Sequence, residues 1–135
     1  MKLNDQMCFS MVVSAGVFAR IGVELRYNRN NPYEVSLAFN TGKSVRVNWV
    51  IGRDLLADGL LAESGLGDVR IRPRPDAPGT IEISLNPPTG QATFEADAAQ
   101  LMEFLNNTYD IVAPGEEHRW MDIDDTLSRL LTQDS

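Results

Sequence analysis

The chain has 135 residues, 43% of them hydrophobic and 23% charged, which fits one domain (1–135) able to bury roughly two-thirds of its unfolded surface without disulfide or metal support. Its single cysteine, Cys8, excludes an intrachain disulfide and suits a reducing compartment. The net charge of −7 is uneven: residues 1–94 sum to +1 and residues 95–135 to −8, a field that opposes the counterion release on which nucleic-acid binding depends.

The first residues, Met1-Lys2-Leu3-Asn4-Asp5-Gln6, have no apolar run after the lysine and do not read as a secretory signal. No apolar stretch approaches the roughly 20 residues of a membrane helix. The expectation is a cytoplasmic protein without direct membrane insertion.

The first two-thirds of the chain alternate with period two, which puts each apolar set on one face of a strand. Met7, Phe9, Met11 and Val13 alternate with Cys8, Ser10 and Val12. Ile21, Val23, Leu25 and Tyr27 alternate with Gly22, Glu24 and Arg26. After a polar turn from Asn28 to Pro32 come Tyr33, Val35, Leu37 and Phe39. The segment Asn40-Thr41-Gly42-Lys43 predicts a hairpin, leading to Val45, Val47, Trp49 and Ile51. Residues 53–61 change period: Leu55, Leu56, Leu60 and Leu61 predict a short helix that Gly59 weakens or ends. Val69 and Ile71 begin another strand, with Arg70 and Arg72 on its opposite face. Pro73, Pro75 and Pro78 interrupt it. Ile81, Ile83 and Leu85 form the next strand. Pro87-Pro88-Thr89-Gly90 turns the chain, and Ala92, Phe94 and Ala96 form the last strand.

The remainder reads as helix. Asp97 is a plausible N-cap for a stripe of Ala98, Leu101, Met102, Leu105 and Tyr109. Pro114-Gly115 ends the connection, and Asp122 is placed to cap a final helix carrying Ile123, Leu127, Leu130 and Leu131. The fold class is α+β, mainly antiparallel β-sheet followed by packing helices.

Catalytic signals are sparse. His118, the only histidine, stands in a polar loop, where a surface or packing role is the simpler reading than a catalytic base. Cys8 lies on a strand and reads as a small buried apolar group. Asp122, Asp124 and Asp125 lack the glycine and glutamate of a calcium loop and fit helix capping instead. Gly65 and Gly67 have no following lysine and open no long helix, so no phosphate loop is present. These residues predict no enzyme, no metal and no cofactor. Arg70, Arg72 and Arg74 share a strand face at about 7 Å spacing. They read either as a solvated, salt-bridged face or as a docking strip for an acidic partner, including the acidic C-terminal third of a sister subunit. Leu60 and Leu61 offer a second candidate partner surface.

Several segments together resemble the SsgA-like family of sporulating actinobacteria. They are Leu25-Arg26-Tyr27 with Asn31-Pro32-Tyr33-Glu34-Val35; Phe39-Asn40-Thr41-Gly42; Val47-Asn48-Trp49-Val50 running into Arg53-Asp54-Leu55-Leu56; Gly59-Leu60; Gly65-Leu66-Gly67-Asp68-Val69; Pro114-Gly115-Glu116-Glu117-His118; and Asp122-Ile123-Asp124 with Leu127, Leu130 and Leu131. The match spans roughly residues 25 to 132. It implies a non-catalytic regulator of sporulation-specific cell division that helps recruit the tubulin-like protein FtsZ, or contacts another septal protein, at the division septum. Within the family, the chain is most similar to the paralogue that tethers FtsZ most directly. The resemblance further implies a Whirly-like architecture, a homo-oligomer, specifically a trimer, and no catalytic residues. The implied architecture leaves one alternative, a single-stranded nucleic-acid-binding protein, against which the net charge argues. A hydrolase or isomerase acting through His118 is the remaining class.

Overall fold

A computed structural model describes residues 1–14, 16–40, 47–86 and 90–120. Seven strands form one antiparallel sheet in the order β4-β3-β2-β1-β7-β6-β5. The strands are β1 (Lys2–Ser14), β2 (Val17–Asn28), β3 (Glu34–Asn40), β4 (Val47–Gly52), β5 (Val69–Pro73), β6 (Thr80–Leu85) and β7 (Ala92–Asp97). The helices are α1 (Arg53–Gly59) and α2 (Ala98–Ile111), followed by a 3-10 turn at Glu117–Trp120. The α+β class read from the sequence is the one observed.

The period-two alternation explains the core. Met7, Phe9, Val23, Leu25, Tyr27, Val35, Leu37 and Phe39 are buried on one face, as are Ile71, Ile81, Ile83, Leu85 and Phe94. α2 lies against β1 and β7, and α1 against β4, β5 and α2. The rings of Phe9, Phe39 and Phe94 meet in the centre, with centroids 4.7 to 6.5 Å apart, a separation at which tilted and edge-on pairs attract.

Asp97 caps α2 as its position predicts: the side chain accepts hydrogen bonds from the N–H groups of Ala99 (2.8 Å) and Gln100 (3.3 Å). The buried stripe is Leu101, Phe104, Leu105 and Thr108. Phe104 takes the place expected for Met102, which is exposed, because the spacing i, i+3, i+4, i+7 holds one face and Met102 lies about 100° from it. α1 ends at Gly59, so Leu60 is its C-cap and Leu61 falls beyond the helical face. β1 starts at Lys2, earlier than the alternation from Met7 suggests; Leu3 pairs with Tyr27 and Asp5 with Leu25, and the polar Asp5 hides the pattern. Tyr33 is a turn residue and exposed, not the first inward residue of β3. The hairpin at Thr41-Gly42-Lys43, Val45, the turn at Pro87-Pro88-Thr89 and the helix expected from Asp122, with Ile123, Asp124, Asp125, Leu127, Leu130 and Leu131, lie outside the described residues.

Candidate functional site

The face of the sheet away from α1 and α2 carries the arginines. Arg70 and Arg72 stand outward on β5 while Ile71 between them is buried. Arg72 pairs across the strands with Glu82 of β6. Arg74, just past the end of β5, contacts Asp76 at 2.7 Å and Glu95 of β7 at 2.5 Å. The hydrogen bond to Glu82 holds the Arg72 guanidinium above its ordinary pKa, and that to Asp76 does the same for Arg74. Reciprocally, Arg74 holds the Asp76 carboxyl below the usual carboxylate range. Two of the three arginines are thus engaged by the chain's own acids. Arg70, opposite Ser84, has no ion pair among the described residues. It lines an open polar groove of about 460 Å³ together with Glu63, Arg72, Glu82, Asn86 and Thr93.

The loop after α1 borders this groove. Ser64 exchanges two backbone hydrogen bonds with Ile71, 2.8 and 2.9 Å, which seats the loop along β5. Leu61 and Leu66 on that loop are 79% and 93% exposed, whereas Leu60 is half-buried and packs on the core. Of the two candidate partner surfaces, the strip keeps Arg70 exposed while Arg72 and Arg74 are paired with acids, and the leucine pair keeps Leu61 exposed while Leu60 is half-buried; Leu66, not expected from the sequence, is a further exposed leucine on that loop.

The remaining candidates stand apart. His118 is exposed in the 3-10 turn. Cys8 is exposed rather than buried, because it shares the outward face of β1 and not that of Phe9; its sulfur accepts a hydrogen bond from Arg20 Nε at 3.3 Å. Among the described residues, no group of three His, Cys, Asp or Glu side chains comes together in a way that could hold a metal ion. No described helix is long and apolar enough to cross a membrane.

Sequence reasoning missed the most constrained polar group. Arg53, 1% exposed, opens α1 and reaches the far end of α2. Its Nη1 donates to the carbonyl oxygens of Val112 (2.6 Å) and Thr108 (3.3 Å), where the helix dipole places negative partial charge. Nη2 lies 3.4 Å from the buried carboxylate of Glu117. The guanidinium carbon sits 5.1 and 4.9 Å from the ring centroids of Tyr27 and Tyr109, within cation–π range. Glu117 in turn accepts the Gly115 N–H at 2.5 Å.

Burial pushes the hydroxyl pKa values of Tyr27 and Tyr109 up, with the Arg53 charge acting in the opposite direction. The unfolded chain ionises these groups near pH 10. Their contribution is therefore fully present below pH 10 and is lost as pH rises through the higher folded values. Stability should fall as pH rises past about 10, and the fall should shrink in Tyr27→Phe and Tyr109→Phe. Denaturant melts read alongside tyrosinate absorbance check this; an unchanged alkaline slope in both variants would refute it.

Comparison with known proteins places this architecture. A family model described as Streptomyces sporulation and cell division protein, SsgA, matches residues 21–117. The sporulation-specific cell division protein SsgB of Saccharopolyspora erythraea is 53% identical over 132 residues, covering 98% of this chain and 94% of that protein. SsgB of Streptomyces coelicolor is 43% identical over 97% of this chain and 96% of its own length. The crystal structure of an SsgA-like sporulation-specific cell division protein from Thermobifida fusca superposes with a TM-score of 0.85 at 34% identity, covering 96% of this chain and 95% of that one. A solved structure reported with SsgB mutations that correlate to longitudinal cell division during sporulation of Streptomyces coelicolor also gives 0.85, at 38% identity over 90% of this chain and 96% of that one.

Proposed function

Because the chain belongs to the SsgA-like family of sporulation and cell division proteins, we propose that it acts at sporulation septa as a non-catalytic binding protein that helps position FtsZ. The observation that carries this reading is the likeness to SsgB along nearly the whole chain, 53% identity over 98% of its length. The contact surface is the β5 side, centred on Arg70 with Leu61 and Leu66. A guanidinium with no ion pair among the described residues, on a strand flanked by a loop that exposes Leu61 and Leu66, suits a partner segment that is both acidic and apolar. Arg72 and Arg74 shape the surface but give little net charge, since Glu82, Asp76 and Glu95 already neutralise them. That neutralisation also weakens the single-stranded nucleic-acid reading, which needs free cations. The protein works as a homo-oligomer, so that several such surfaces act together.

Septation in a strain lacking its own SsgB is the test. The wild-type chain should restore ladders of septa. Arg70→Glu, which breaks no observed ion pair, should fold normally and restore them poorly. One exposed charge contributes about 0.2–1 kcal/mol, so reversing it, at about twice that energy, predicts an affinity loss of roughly two- to thirtyfold. Full restoration by Arg70→Glu would remove this surface from the account.

A further inference from the structure

Residues 113–120, beyond the end of α2, bond mostly among themselves. The Glu116 N–H donates to the Ala113 carbonyl, the Arg119 N–H to the Glu116 carbonyl and the Gly115 N–H to the Glu117 carboxylate, while the Arg119 side chain pairs with Glu116. None of these residues belongs to the hydrophobic core, and Glu117 alone among them is buried. Two side chains tie the segment to the rest of the fold, each through an arginine. Glu117 reaches Arg53, and the Trp120 ring lies under Arg29 of the β2–β3 turn, 4.2 Å from its guanidinium carbon. A 3-10 turn brings positions i and i+3 onto one side, so Glu117 and Trp120 meet the two arginines together. A segment with so few ties opens locally at lower cost than the sheet beneath it.

Glu117 is an incomplete partner for its arginine. Arg53 is buried, yet its Nε and Nη2 make no hydrogen bond among the described residues. The carboxylate stops 3.4 Å from Nη2, short of the about 2.7–2.9 Å of a charge-assisted hydrogen bond. Its Oε1 is instead committed to the Gly115 N–H of its own segment, at 2.5 Å. A carboxylate without that commitment can come closer and satisfy nitrogens that Glu117 leaves bare. Arg53 is already held for it, by the carbonyls of Val112 and Thr108 and by the rings of Tyr27 and Tyr109.

We propose that Arg53 and Arg29 form a binding site for a partner segment that carries a carboxylate and, three residues on, an aromatic side chain, and that residues 113–120 mask this site until such a segment displaces them. The resident turn competes from a high effective concentration, so an outside segment enters only through the contacts that Glu117 forgoes. The site shares no residue with the Arg70 surface and does not depend on it.

The full-length chain tests this, with the capped peptide of residues 113–120 as the probe. Glu117→Gln/Trp120→Ala withdraws both resident contacts and should bind the peptide saturably, with NMR shifts at the Tyr27 and Tyr109 rings. The wild-type chain, its site already filled, should bind roughly tenfold more weakly. The Glu117→Gln peptide should lose roughly tenfold in affinity for the double variant. Arg29→Gln added to the double variant should weaken binding about threefold, the loss of an exposed cation–π contact. If the double variant loses structure, Trp120→Ala alone, which leaves the Arg53–Glu117 pair in place, should still bind the peptide more tightly than wild type. No saturable binding by the structured variant, equal binding by variant and wild type, or a Glu117→Gln peptide that binds as tightly as its parent would overturn the proposal.

Discussion

Arg53→Ala is expected to destabilise the fold by about 3–5 kcal/mol, the range for removing one partner of a buried ion pair. The substitution would strand the Glu117 carboxylate in the interior and leave the Val112 carbonyl at the end of α2 without the Arg53 donor, while the Thr108 carbonyl would keep only the Val112 N–H. It would also open a void between the Tyr27 and Tyr109 rings. For a domain of this size the loss corresponds to a fall in melting temperature on the order of 10 °C or more. Arg53→Lys should recover only part of it, because a point-like ammonium cannot replace a planar fork lying between two rings. Arg53→Met with Glu117→Gln should be less damaging than Arg53→Ala, since no uncompensated charge remains. Denaturant melts of the three variants decide the matter; a loss below about 1 kcal/mol in Arg53→Ala would show the cluster to be incidental.

Gly59→Ala is the second substitution with a large expected effect. A Cβ at this buried position would stand 2.4 Å from both Cβ and Cγ2 of Ile71, and Ile71 is fully buried on β5. Neither atom is the far end of a flexible chain, so α1 and β5 must move apart. Alanine favours a helix over glycine by about 1 kcal/mol, but overpacking a rigid contact costs about 1–3 kcal/mol and occasionally more. The clash should therefore win, with a net loss of up to about 2 kcal/mol. Ile71→Ala removes Cγ2 but keeps Cβ, so it relieves part of the clash, and the double variant should be somewhat more stable than the sum of the two single losses predicts. Equal or higher stability for Gly59→Ala would mean that α1 has room the observed packing denies it.

The strands were legible because one face of the sheet is dry and the other wet, which leaves period two in Met7–Phe9, Val23–Leu25–Tyr27 and Ile81–Ile83–Leu85. The Asp97 cap was legible because a side-chain cap is a local contact. Arg53 and Glu117 were not. They are 64 positions apart, and nothing in either segment says that a helix start, a helix end and two tyrosine rings converge there. The arginine strip was half legible. Period two correctly put Arg70 and Arg72 on one outward face, but the cross-strand register that supplies Glu82 and Glu95 as partners is a tertiary property. The exposure of Leu61 follows from where α1 stops, which the leucine spacing alone overran.

The central claim is a contact with FtsZ at the septum, and co-sedimentation of the purified chain with FtsZ polymers tests it most directly. The chain should pellet with polymers and saturate. Binding should weaken as salt rises from about 0.05 to 0.5 M, because screening shortens the reach of the Arg70 charge, and Arg70→Glu should pellet less than wild type. A chain that stays in the supernatant at every salt concentration while FtsZ polymers pellet normally would contradict the account.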